Sequence, residues 1–96
     1  MMLPLMTLPD GTEIVYSDIR KDKQGKDFVR VYAERWNDAR RRFDSISLIL
    51  PDESVEVDGF PENEMLHLVE GLKKKSNVIW ELASNAYAKS RTNSGI

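Results

Sequence analysis

Residues able to do chemistry are few in this chain, and the densest group is cationic. Arg40, Arg41 and Arg42 are consecutive, and Arg30, Tyr32 and Trp36 precede them at even spacing. Guanidinium forks match phosphate oxygens, and flat aromatic rings offer faces on which unpaired bases stack. Those six residues are therefore candidates for nucleic-acid or anion binding. Lys73, Lys74 and Lys75 form a second cationic run, which reads either as an extension of that surface or as a solvated helix face. Asp52, Glu53, Glu56 and Asp58 crowd together, but they lack the alternate spacing, central glycine and closing glutamate of a calcium loop. They read as the polar edge of a hairpin, where charge discourages strand addition.

The remaining chemistry is excluded by what the sequence lacks. There is no cysteine, hence no disulfide, thiolate zinc site or cysteine nucleophile. The one histidine, His67, has no partner motif around it. The glycines are isolated, so no phosphate-cradling loop exists. A non-enzymatic protein with no cofactor and no metal is the expectation.

The elements that position these residues follow from periodicity. Ninety-six residues, 41% of them hydrophobic, suffice for one domain with one core. Pro9-Asp10-Gly11, the polar stretch 21–26, and Pro51-Asp52-Glu53-Ser54 are turn signals. Between them lie Leu3–Leu8, Thr12–Arg20, Asp27–Trp36, Phe43–Leu50 and Val55–Val57. In Asp27–Trp36, Val29, Val31 and Ala33 fall on one face and Arg30, Tyr32 and Glu34 on the other. Ile46, Leu48 and Leu50 alternate with serines in the same way, which is the strand period. Leu8-Pro-Asp-Gly and Leu50-Pro-Asp-Glu echo one another and suggest one hairpin solution used twice.

From Pro61 the period lengthens. Met65, Leu68, Val69, Leu72, Ile79, Leu82, Ala83 and Ala86 form one helical stripe. The stripe keeps phase across Lys73–Ser76, so a single long helix, at most kinked, is expected over 61–88 rather than two helices. Gly71 lies within it, where a bare backbone allows another chain or strand to approach. The expected fold is α+β: an antiparallel meander of four to five strands followed by one long C-terminal helix. Residues 1–90 make the domain, and 91–96 a frayed tail. Such a helix, about 40 Å long at 1.5 Å per residue, outreaches strands of about 27 Å at 3.3 Å per residue. Its overhanging residues Trp80, Leu82, Ala83 and Tyr87 are thus expected to meet a second copy, and a homodimer supplies the cover most simply.

Charge is arranged in blocks. Residues 1–19 carry −3, 20–43 carry +5, 44–70 carry −8 and 71–96 carry +4, although the whole chain is only −2. Either the blocks are solvated and pair with each other, or the basic block docks an anionic partner. No apolar run approaches the about 20 residues of a membrane span. The opening Met-Met-Leu-Pro-Leu-Met has no basic segment of the signal-peptide kind. A cytoplasmic protein is expected, with no membrane partner and an unidentified protein partner.

Two resemblances attach to these stretches. Ile14–Arg20, Lys23-Gln24-Gly25-Lys26, Phe28–Trp36 and Ile46–Leu50 resemble the strand succession of the single-stranded nucleic-acid-binding families that include the transcriptional coactivator PC4, the Pur repeat and the Whirly proteins. That resemblance implies nucleic-acid binding on the sheet face bearing Arg30, Tyr32, Trp36 and Arg40 to Arg42, with a helix-mediated dimer. The chain differs by carrying Pro51–Gly59 before its helix. Val55-Glu-Val-Asp-Gly-Phe60-Pro-Glu-Asn-Glu-Met65 is similar to a family of small bacterial domains of unknown function, in which a strand ending in Gly-Phe leads into a helix. That similarity implies no catalytic residue.

Overall fold

A computed structural model describes residues 2–94, with side chains through residue 88. Six strands precede two helices: β1 (Met2–Thr7), β2 (Glu13–Ser17), β3 (Arg20–Lys21), β4 (Asp27–Asn37), β5 (Arg42–Leu50), β6 (Ser54–Asp58), α1 (Glu62–Lys74) and α2 (Ser76–Ser94). All strand pairs are antiparallel, in the spatial order β1-β2-β4-β5-β6, with β3 on the opening residues of β4. The meander is thus present, but with six strands rather than four to five. Thr12–Arg20 splits because Ser17 intrudes on the ladder. The Arg30 N–H donates to the Ser17 hydroxyl at 3.0 Å, and that hydroxyl donates to the Asp18 carbonyl at 2.8 Å. A side chain has taken the place of a backbone partner, and pairing resumes only at Arg20↔Phe28.

One face of the sheet carries the core. Val29, Val31 and Ala33 on β4, Ile46, Leu48 and Leu50 on β5, and Ile14 and Tyr16 on β2 are buried there. Each large aliphatic side chain contributes about 1.5–3 kcal/mol through burial. Phe60, Val69, Leu72, Ile79 and Ala83 close this face from the helical layer. Both edges of the sheet resist further pairing. The β1 edge holds Pro4, and its register shifts between Pro4 and Met6; the β6 edge carries Glu56 and Asp58.

A single long C-terminal helix is not what forms. The helix stops at Lys74, Lys75 lies outside helical geometry at φ −99°, ψ 9°, and α2 begins at Ser76. Lys75 N–H bonds to the Leu72 carbonyl at 3.0 Å, three residues back, so the last turn of α1 tightens. Lys73 and Lys74 occupy that turn, where a helix C-terminus favours cations. The break costs one residue and leaves the phase intact, with Leu72, Ile79 and Ala83 all buried. A periodicity argument cannot register so short an interruption.

The two Leu-Pro-Asp turns share one feature and differ in others. Gly11 and Glu53, at equivalent places, both have positive φ, 90° and 63°. Gly11 N–H bonds to Leu8, whereas Glu53 N–H reaches Ile49, and the Leu50–Pro51 peptide is cis. The molecule measures 48 × 25 × 24 Å with a radius of gyration of 14.4 Å. A chain of this length at ordinary compactness has roughly 12.5 Å, so the shape is drawn out in one direction. No helix among the described residues is long and apolar enough to cross a membrane. Of the expected tail 91–96, α2 includes the backbone through Ser94, and 95–96 lie outside the described residues.

Candidate functional site

The outer face of the sheet receives Arg30, Tyr32 and Trp36, because they alternate with the buried residues of β4. Trp36 pairs with Phe43 across the β4–β5 ladder. Their rings meet edge to face at 5.2 Å and 75°, and they are 49% and 53% exposed. The Trp36 indole N–H donates to Asp38 at 2.8 Å. An aromatic platform therefore stands at the hairpin end, and Phe43 belongs to it although the alternation of β4 did not bring it forward.

The arginine run is less available than its sequence implies. Arg40 pairs with Asp44 at 3.0 Å and with Asp58 at 3.6 Å, and Arg42 pairs directly with Asp58. Asp44 is 2% exposed and also accepts from Asn37 Nδ2 at 2.9 Å. Arg41 takes a left-handed turn conformation, φ 53°, and Arg41 and Arg30 have no ion pair among the described residues. A recess of about 210 Å³ beside Arg30 and Tyr32 is also lined by Glu56 and Asp58. In the register Glu13 faces Glu34, Glu34 faces Ser45, and Ser45 faces Asp58. Acids outnumber free cations on this face, which repels phosphate.

Pairing across the charge blocks recurs elsewhere. Arg35 donates to Asp10 and to Glu64, each at 2.8 Å, and its guanidinium lies 4.5 Å from the Phe60 ring centre. It ties the β1–β2 turn, β4 and the start of α1 together. Glu64 holds the Arg35 pKa above its usual range, against the opposing effect of burial and with help from Asp10. The Thr12 backbone N–H, 2.9 Å from Asp10, holds that carboxyl below its ordinary value. The Thr12 hydroxyl beside it adds to this effect but lies outside hydrogen-bond geometry, buried and without another partner. Sequence reasoning passed over Arg35. The signal was its odd position on β4: it continues the buried series 29, 31, 33, where a charge must find partners. Lys73 also reaches across blocks, to Glu53 at 3.8 Å.

The four residues assigned to a second copy separate. Ala83 is fully buried in the core, and Trp80 is half-buried against it. Leu82 and Tyr87 are 37% and 38% exposed, but five helical positions turn them about 140° apart. Val78, 56% exposed and one turn before Leu82, is the neighbour that shares its face. His67 is exposed beside a groove between the β1–β2 hairpin and α1, and Gly71 forms part of the same wall. Among the described residues, no group of three or more His, Cys, Asp or Glu side chains is placed to hold a metal ion. No protein-family model, curated protein or solved structure matches the chain.

Proposed function

We propose that this chain is a non-enzymatic, cytoplasmic interaction module that works as a homodimer joined through α2. The carrying observation is the weak anchorage of that helix. Nineteen residues long, it buries only Ile79 and Ala83 fully among its described side chains, while Val78 and Leu82 stand exposed one turn apart. A helix so lightly packed is marginal in water unless its free apolar side is covered. A symmetry-related α2 offers the same strip in return. Light scattering after size exclusion tests this: the wild type should elute at twice the chain mass. A Val78→Glu, Leu82→Glu double variant should run as a folded monomer. A wild-type monomer at high concentration overturns the reading.

The exposed Trp36–Phe43 pair favours one second reading, single-stranded nucleic-acid binding on the outer face. Arg30 on that face and Arg41 in the adjoining β4–β5 turn, neither with an ion pair among the described residues, would then set the salt dependence. Two phosphate contacts give a log–log slope of roughly −1.4 for a single strand. A labelled oligonucleotide titrated at several salt concentrations checks this, and no binding at low salt removes it.

A further inference from the structure

The β1–β2 hairpin and α1 do not close on each other. Between them runs a groove of about 430 Å³, with Met6, Leu8 and Ile14 on the sheet side and Leu68, Gly71 and Leu72 on the helix side. Past Leu8 and Leu68 it meets a smaller recess of about 160 Å³ that reaches Thr12 and Phe60. The size falls in the roughly 300–1,000 Å³ range of small-ligand sites. Its walls are apolar, and charge appears only at the rim.

Gly71 forms part of the groove wall. A glycine inside a helix costs about 1 kcal/mol relative to alanine. Packing does not require one here, because a Cβ at this position would meet nothing within 4 Å. The rim charges are unequal. Asp10 is committed to Arg35 and to the Thr12 N–H. Lys75, at the other end, has no ion pair among the described residues. The end of α1 and the start of α2 meet at Lys75 with opposite partial charges that offset each other, so the ammonium decides the sign.

The geometry points to an aliphatic carboxylate as the occupant, its chain lying along Leu8, Leu68 and Gly71 and its carboxylate at Lys75. From His67 to Lys75 the helix advances about 12 Å at 1.5 Å per residue, the reach of an extended decanoate. This site is independent of the α2 interface proposed above.

Decanoate titrated into the full chain, followed by amide and methyl NMR, tests the assignment. Saturable shifts are expected at Leu8, Leu68 and Gly71, with weaker binding of decanol and none of decyltrimethylammonium. Gly71→Leu, which fills the groove, should weaken decanoate at least about tenfold. Lys75→Glu should weaken it by roughly fivefold. Gly71→Ala, which adds one methyl, reports whether the helix still folds when that glycine is replaced. Absent saturation, equal affinity for the alkylammonium, or undiminished binding to a folded Gly71→Leu protein each overturns the proposal. So do groove shifts that follow protein concentration with no decanoate present, since a second copy would then fill the groove.

Discussion

The carboxylate of Asp44 occupies the space that any side chain at position 59 would need. Gly59 has φ 96°, and a Cβ built there overlaps both Asp44 and the Arg40 guanidinium paired with it. The residue just beyond β6 is thus fitted to a half-buried ion pair on the β4–β5 hairpin, and Phe60 follows it into the core.

Gly59→Ala should therefore be strongly destabilising. A left-handed conformation and the displacement of the buried Asp44 carboxylate from its partners together cost about 2–3 kcal/mol. At this chain length that lowers the thermal midpoint by more than about 8 °C. Calorimetry or thermal circular dichroism reads it, and a near-normal midpoint would show that Asp44 and Arg40 move aside freely.

Gly71→Ala should act in the opposite direction. Its Cβ enters open space, and helix propensity gains about 0.5–1 kcal/mol. Urea denaturation should show a higher midpoint with an unchanged slope. Two glycines twelve residues apart thus respond oppositely, one pressed against an ion pair and the other bare over a groove.

Arg41→Gly separates binding from stability. Arg41 holds a positive φ that glycine adopts without strain, so the variant should fold within about 1 kcal/mol of wild type. If the outer face binds single strands, the same change removes one free cation and flattens the salt dependence by roughly 0.7 in slope. Oligonucleotide affinity unaltered at every salt concentration counts against that second reading.

Acid should weaken the fold through its two turns. Asp10 is held below its ordinary value of 3.8 by the Thr12 backbone N–H, and Asp22 below the same value by the Lys26 backbone N–H. A carboxyl whose pKa is lower in the folded than in the unfolded chain favours folding while ionised. That stabilisation is complete above the unfolded value and is lost as pH falls through the folded one. Denaturation midpoints measured from about pH 6 down to about pH 2 should decline on the acid side. Asp10→Asn should lower stability near neutrality and make the decline shallower.

Much of the architecture was legible because it depends on local sequence. Val29, Val31, Ala33, Ile46, Leu48 and Leu50 read as core from strand period alone, and all are buried. Leu72, Ile79 and Ala83 read as one helical stripe; all three are buried, but Leu72 lies on α1 and the other two on α2. Two elements escaped. The Ser17 hydroxyl divides one apparent strand by bonding to a backbone amide thirteen residues away, which no local pattern encodes. At Lys75 a single residue leaves the helix and the stripe resumes in phase, so periodicity stays silent.

The surfaces divide along the same line. By itself the sequence determined which residues are cationic, aromatic or bare, and which chemistries were excluded for want of cysteine, of histidine pairs and of phosphate loops. Only the tertiary structure decided what those residues are free to do. It paired Arg40 with Asp44 and Asp58 and Arg42 with Asp58, left Arg30 and Arg41 without an ion pair among the described residues, and placed Ala83 in the core. It also held α1 away from the β1–β2 hairpin so that Gly71 faces a groove. The physical reason is range. Propensity and periodicity act over a few residues, whereas ion pairs and grooves arise from partners brought together across the chain, as Arg35 is with Glu64 twenty-nine positions away.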